Sequence, residues 1–296
     1  MSSKPAIQVL APAKLNLGLR VLNRRSDGYH NIESMFQAVS LFDTLTIRRA
    51  EKFEFLAKGK WQVPTDVNNL VVKAITKLCE FLSVTPNFQV FLEKSIPPGG
   101  GLGGGSSDAV AALVGCNELL GFPLKKADLS RIALSIGSDC PFFIEGGLQH
   151  VSGRGEVLRP ISSQLSGAFA IWFPGASVAT SSAYSLLRRS LTQEEPKLIL
   201  DDCFLSTHNW WEVGIVVNDF EPVVSTQFLE WKDAVLFWKK NSAVWISLTG
   251  SGSCQAAYFT DKSACERACE AWPLQGTVWS TEPISFGVRT NKDGDE

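Results

Sequence analysis

The chain has 296 residues, 45% of them apolar and 20% charged, which is the composition of a soluble globular protein with length enough for two domains. A net charge near −2 gives no electrostatic case for a nucleic acid or an anionic membrane as partner. No apolar run reaches the ~18 residues that cross a bilayer, and Met1-Ser2-Ser3-Lys4-Pro5 carries no signal-peptide segment, so a cytoplasmic protein is expected.

Ile7 to Leu22 reads as a strand or strand pair. Ala13, Leu15, Leu17, Leu19 and Val21 face one way; Lys14, Asn16, Gly18 and Arg20 face the other. Alternation alone makes the second set the solvated outer face of an edge strand. A loop with an Asp27-Gly28 turn signal follows, then Tyr29 and His30. Met35 to Arg48 and Phe53 to Leu56 are further strands, with Leu45, Ile47, Phe53 and Phe55 inward. Asp66 to Asn69 cap a helix over Leu70 to Leu82, and Asn87 to Glu93 is a strand.

A glycine-rich loop, Pro97-Pro98-Gly99-Gly100-Gly101-Leu102-Gly103-Gly104-Gly105-Ser106-Ser107, leads into a helix over Ser106 to Leu120. A second helix spans Leu124 to Ile136 and ends at Gly137-Ser138-Asp139-Cys140-Pro141. Pro141 keeps Cys140 out of helical geometry, which places Asp139 in a constrained turn. Phe142 to Ile144 and Leu148 to Val151 read as a hairpin around Glu145-Gly146-Gly147. The pattern loosens between Leu158 and Gly167, which suggests domains of residues 1–162 and 163–296.

The second half begins with strand Ala168 to Phe173. Helices near Ser181 to Leu191 and over Pro222 to Lys240 follow, then strand Ala243 to Leu248 and a second glycine loop, Thr249 to Ser253. Strand Cys254 to Phe259, helix Lys262 to Ala271 and strand Ile284 to Val288 complete the chain, with a frayed charged tail. Strands and helices mix without strict alternation, which favours an α+β fold. Seven cysteines with no C-x-x-C point to thiols rather than disulfides. Cys265 and Cys269 share a helix face but are at most half a zinc site, and His30, His150 and His208 form no local metal motif.

Glycines before a helix start expose N–H groups and the positive end of a dipole to an anion, so the loop reads as a phosphate cradle. It formally matches G-x-G-x-x-G at Gly99, Gly101 and Gly104, but its prolines and mid-chain position argue against a dinucleotide fold. Gly105 stands where a Walker A loop needs lysine. A linker would not run from a strand straight into a patterned helix.

Pro97 to Ala109 resembles the phosphate-binding motif of the GHMP kinases. Pro12-Ala13-Lys14-Leu15-Asn16-Leu17, Arg25 to His30, Gly137 to Phe143 and Thr249 to Cys254 are similar, in order, to motifs of the branch that phosphorylates a cytidine-diphospho-methylerythritol. The resemblance spans nearly the whole chain. It implies a two-lobed α+β fold, with an N-terminal lobe containing an unusual left-handed βαβ crossover and a ferredoxin-like C-terminal lobe. It also implies ATP and Mg²⁺, and a small-molecule acceptor in the pathway of non-mevalonate isoprenoid precursor synthesis.

By the same resemblance, Asp139 falls on the catalytic aspartate, where residue type alone suggests a turn or cap. Lys14 falls on the family's other active-site residue. Pro97 to Ser107 bind the ATP phosphates; Ser106 by itself reads as a helix N-cap, and Ser107 is a candidate Mg²⁺ ligand. Asn69 and Lys94 are candidates around adenine. Tyr29 and His30 match the cytosine contacts. Tyr184, where phenylalanine is frequent, is the other side of the base clamp. Asn16 and Thr180 contact the methylerythritol phosphate region. A homoserine- or mevalonate-type kinase, or a non-catalytic nucleotide-binding homologue, remain alternatives, and oligomeric state is not legible.

Overall fold

The computed structural model describes residues 6–187, 209–212 and 217–291. Cys203, His208, the end of the expected 181–191 helix and the charged tail after Asn291 lie outside them. Strands β1 (Ala6–Arg24) and β2 (His30–Arg49) form a long antiparallel ribbon whose register shifts at Pro12/Ala13, Asn16/Leu19 and Val21/Arg24. Such irregularities bend and twist a strand pair. The ribbon carries one core into the next: Val9 and Ala11 pack in the first core, Ala13, Leu15 and Leu17 in a second.

Strand β3 (Glu54–Gly59), helix α1 (Leu70–Leu82) and strand β4 (Phe88–Lys94) form a parallel strand–helix–strand unit. The expected α1 boundaries hold because its caps are local. Asn69 Oδ1 accepts from Val71 N at 2.8 Å, and Ser83 closes the helix in the left-handed region. Strand β5 (Leu148–Ser152) pairs with β2, and β6 (Val157–Pro160) with β5. Strand β11 (Arg289–Thr290) pairs with β1, giving the order β11–β1–β2–β4–β3 with β5 and β6 on the flank.

Helices α2 (Gly104–Leu119) and α3 (Lys126–Ile136) join α1 over this sheet. The small residues of α2 permit a close approach: a Cβ on Gly115 would lie 2.7 Å from Ile47 Cδ1. The hairpin expected at Phe142 to Val151 is absent. Phe142–Glu145 is one short helix, α4, and the hairpin is β5–β6 instead. Short apolar runs do not separate strand from helix, and here both phenylalanines are fully buried in the first core.

The second sheet contains β7 (Ala168–Phe173), β8 (Trp245–Leu248), β9 (Gln255–Phe259) and β10 (Thr277–Thr281), antiparallel in the order β10–β7–β9–β8. Helices α5 (Thr180–Leu187), α6 (Glu221–Val224) and α7 (Trp231–Lys240) lie between β7 and β8, and α8 (Lys262–Glu270) between β9 and β10. That β-α-β-β-α-β order is ferredoxin-like. The helix expected over Pro222 to Lys240 is broken by a 3₁₀ turn at Ser225–Gln227 and by Phe228, whose backbone is extended. The strand expected at Ile284 to Val288 is an irregular return to the first sheet, where Ile284 N donates to Ala38 O and Val288 N to Phe143 O. β10, absent from the sequence reading, supplies the sheet edge. The second core joins Ala13, Leu15 and Met35 to Phe169, Ile171 and Phe173, so both faces of β1 are covered.

Candidate active site

A cleft of 1040 Å³ opens where β1 crosses from the first core to the second. Helix α2 starts at Gly104, two residues before the expected Ser106. Its N-cap is Gly103 in the left-handed region (φ +70°), with no side chain capping the helix. The expected capping role of Ser106 is therefore absent, and the first intrahelical bond is Ser107 N to Gly103 O at 3.0 Å. The first-turn N–H groups have no helical acceptor and suit an anion.

The second lobe clasps this loop. Cys254 N donates to Gly100 O at 3.1 Å and Val178 N to Gly99 O at 3.3 Å, while Lys14 N donates to Leu102 O at 2.9 Å. A Cβ on Gly103 would sit 2.8 Å from Phe143 Cζ and 3.1 Å from Lys14 Cγ. Gly103→Ala combines that clash with a left-handed backbone, a strain of about 1–3 kcal/mol. We expect a lower melting temperature and an ATP KM raised about tenfold or more, the equivalent of roughly 1.4 kcal/mol. An unchanged melt and an unchanged ATP titration would contradict this account of the loop.

Lys14 and Asn16 occupy a buried face of β1, at 3% and 1% exposure, rather than a solvated edge. The glycine loop, Phe36 and the Asp139 turn cover Lys14, and Ser34 backs Asn16, while the opposite face of β1 packs on the second sheet. Lys14 Nζ donates to Asn16 Oδ1, lies 4.5 Å from the Phe36 ring centroid and stands 3.7 Å from Asp139 Oδ2. Asn16 is held in turn: Nδ2 donates to Ser34 Oγ at 2.9 Å, and its N–H donates to Thr249 Oγ1 at 3.0 Å. Burial lowers the Lys14 pKa, against the opposing pull of Asp139. Asp139 lies in the turn after α3, closed by Cys140 N to Gly137 O, with 35% of its side chain exposed. It is thus open to a ligand on one side and to Lys14 on the other. Cys140, packed beneath, is fully buried, and burial pushes its thiol up to about 12.

At the far end of the cleft His30 and Tyr184 stack, centroids 5.1 Å apart and 20° from parallel, with Phe220 edge-on to Tyr184 at 4.8 Å. Burial, then the Arg24 charge, lowers the His30 pKa, which favours a neutral ring with one donor and one acceptor. Burial and then Asp139 push Tyr184 up to about 12. His30, rather than Tyr29, lies against Tyr184. Tyr29 is 55% exposed, with the Arg154 guanidinium 4.9 Å over its ring. Thr180 Oγ1 is 3.0 Å from Ser251 Oγ of the second glycine loop.

Of the residues singled out in the sequence, Lys14, Asn16, Tyr29, His30, Pro97, Pro98, Gly99, Gly101 to Ser106, Asp139, Thr180 and Tyr184 line one cleft. Gly100, Ser107, Asn69 and Lys94 do not. Gly100 packs backwards, where a Cβ would meet Cys254 Sγ at 2.7 Å. Asn69 uses both side-chain ends locally, in the α1 cap and in a bond to Pro64 O at 2.7 Å. Lys94 is 2% exposed and paired with Asp43 and Asp108, so it serves as a buried ion partner beneath the loop, not as an adenine contact. Among the described residues, the buried Ser107 Oγ has no hydrogen-bond partner. Sequence reasoning missed Phe220, Ser34, Arg24 and Arg154 as neighbours of the site. Only Arg154 left a signal, its position between Gly153 and Gly155.

The fold and its glycine loop are those of the GHMP kinases, and the GHMP kinases N terminal domain matches residues 69–147. A crystal structure of homoserine kinase from Cytophaga hutchinsonii superposes with a TM-score of 0.73 at 20% identity, covering 98% of each chain, a likeness of fold alone. A crystal structure of 4-(cytidine 5'-diphospho)-2C-methyl-D-erythritol kinase reaches a TM-score of 0.77 at 30% identity, over 94% of this chain and 99% of that one. The 4-diphosphocytidyl-2-C-methyl-D-erythritol kinase of Chlorobium chlorochromatii is 34% identical over 269 residues, covering 90% of this chain and 93% of the relative. The chain belongs to the 4-diphosphocytidyl-2-C-methyl-D-erythritol kinase family.

Proposed function

We propose that this protein transfers the γ-phosphoryl group of ATP to a hydroxyl of 4-diphosphocytidyl-2-C-methyl-D-erythritol, a step of non-mevalonate isoprenoid precursor synthesis, and that it does so in the cytoplasm. The observation that carries the reading is the Lys14–Asp139 pair, 3.7 Å apart in the cleft that also holds the glycine loop and the aromatic end.

The hydroxyl oxygen attacks the γ-phosphorus, the bond to the β-bridging oxygen breaks, ADP leaves, and the hydroxyl proton passes to Asp139. Such a transfer depends on positioning and charge compensation. The first turn of α2 holds the phosphates through its free N–H groups. Lys14, fixed by Asn16, orients Asp139 and steadies charge developing on the attacking oxygen. His30, Tyr184 and Tyr29 receive the cytosine, with His30 able both to donate and to accept at the base edge. Thr180 and Asn16 border the polyol.

Mg²⁺ fits the site as companion of the triphosphate. In the cleft this chain would offer it the Asp139 carboxylate; Ser107 Oγ, without a hydrogen-bond partner among the described residues, lies beneath the cleft lining, and phosphate oxygens and water would complete the set. The ion supplies neutralisation of charge on the β- and γ-phosphates.

The test offers MgATP with the cytidine-diphospho acceptor, homoserine or mevalonate, and follows ADP. Release with the first alone is expected. Release with homoserine or mevalonate instead reassigns the acceptor, and none with any of them, despite ATP binding, points to a nucleotide-binding homologue.

A further inference from the structure

We propose that Arg154 reads the diphosphate of the acceptor and sets the preference of the cleft for a nucleoside-diphosphate-linked polyol over an uncharged alcohol. This rests on the proposed acceptor.

Arg154 lies in the β5–β6 turn, which is pinned to β2 by Ile32 N donating to Gly153 O at 2.7 Å. Two ends of the cleft meet at this turn. Gly155 lies so near the base that a Cβ on it would be 3.3 Å from Asp139 Oδ1. One residue earlier, the Arg154 guanidinium stands 4.9 Å over the Tyr29 ring. An acceptor with its hydroxyl at Asp139 and its base at the aromatic end must carry its diphosphate across this span.

A guanidinium presents five donors in a planar fork that matches phosphate oxygens. Glu156 orients it: Oε1 faces Arg154 Nε at 3.7 Å, and Oε2 accepts from Arg154 N. With 27% of its side chain exposed, Arg154 is held yet reachable. Lys14 is engaged with Asn16 and Asp139, and Arg24 is exposed. Arg24 also lines the cleft, but at its aromatic end beside His30 rather than next to Asp139. Homoserine and mevalonate carry no diphosphate for Arg154 to hold.

A rival role is support of Tyr29 alone, through the cation–π contact. Titration of cytidine, CMP and CDP into the wild type and Arg154→Met separates the two. The wild type is expected to bind CDP about tenfold or more tighter than cytidine, the size of one charge-assisted contact. Arg154→Met is expected to abolish most of that ratio and leave cytidine within about twofold, and Arg154→Lys to restore part of it. Steady-state assays of Arg154→Met should show a raised acceptor KM with the ATP KM unchanged. Equal weakening of cytidine and CDP assigns Arg154 to Tyr29 support and overturns the proposal, as does a ratio unchanged by the substitution or absent from the wild type. Wild type that favours CDP through Arg154, yet releases no ADP with the cytidine-diphospho acceptor, overturns the kinase reading and leaves Arg154 as a diphosphate contact.

Discussion

Asp139→Asn is expected to lower kcat by about 10²- to 10⁴-fold, the usual worth of a positioned general base, while ATP binding is unchanged. Asparagine keeps the size of the side chain and removes its capacity to take a proton. The change also acts on Lys14. Burial already lowers the Lys14 pKa, and Asp139 is the charge that opposes it. Without that carboxylate the lysine pKa falls further, so any alkaline limb of the residual activity caused by loss of the lysine charge moves to lower pH. Lys14→Ala should lower kcat at least about tenfold, with the double variant far less impaired than the product of the single effects, because the two groups act as a unit. The readout is single-turnover phosphorylation across pH beside equilibrium ATP binding. Wild-type turnover in Asp139→Asn would remove this residue as the base.

Lys94→Met should have the largest effect on stability. Lys94 Nζ pairs with Asp43 and, at 2.8 Å, with Asp108, and all three side chains are buried. Asp43 Oδ1 also accepts from Ser95 N at 2.6 Å and Ile96 N at 2.9 Å, fixing the chain just before the glycine loop. Asp108 belongs to the opening turns of α2. The lysine thereby ties the entry and the exit of the phosphate loop together. Removing one partner of a buried ion cluster costs about 3–5 kcal/mol, because the Asp43 carboxylate is left buried without its cation. A denaturant melt should register that loss, and a variant as stable as the wild type would refute it.

The same cluster predicts a pH dependence. Burial pushes Asp108 up to about 8, with Lys94 pulling it down and Asp43 adding to the rise. Its folded pKa is above the unfolded value near 4, so between the two the folded state holds the extra proton. Stability from this group is full below about 4 and is lost as pH rises through about 8. Between pH 6 and 9 the wild type should lose more stability than Asp108→Asn, whose side chain does not titrate. Parallel curves would show that Asp108 does not carry that proton.

Elements bounded by local chemistry were legible from the chain. Helix α1 follows from Asn69 and an apolar stripe, β7 from an unbroken apolar run, and the anion cradle from glycines before a helix. The motif order also pointed to the family to which the chain belongs. Where packing outvotes local pattern, the sequence was a poor guide. Phe142 to Ile144 enters a helix because two phenylalanines fill the first core, and the helix after Pro222 breaks where Phe228 turns extended. Ile284 to Val288 crosses back to the first sheet as irregular chain.

The sequence by itself determined which residues have chemistry to offer: a loop of glycines for phosphate, a lysine and an aspartate for proton and charge, and aromatic rings for a base. Tertiary structure decided which of them meet. Lys14 alternates onto the polar face of β1, and that face is buried only because the glycine loop, Phe36 and the Asp139 turn cover it. Lys94, beside the loop in sequence, is drawn beneath it by Asp43 and Asp108. Alternation specifies a direction along one strand, whereas burial and charge pairing depend on segments distant in the chain, such as Asn16 and Thr249, 233 residues apart.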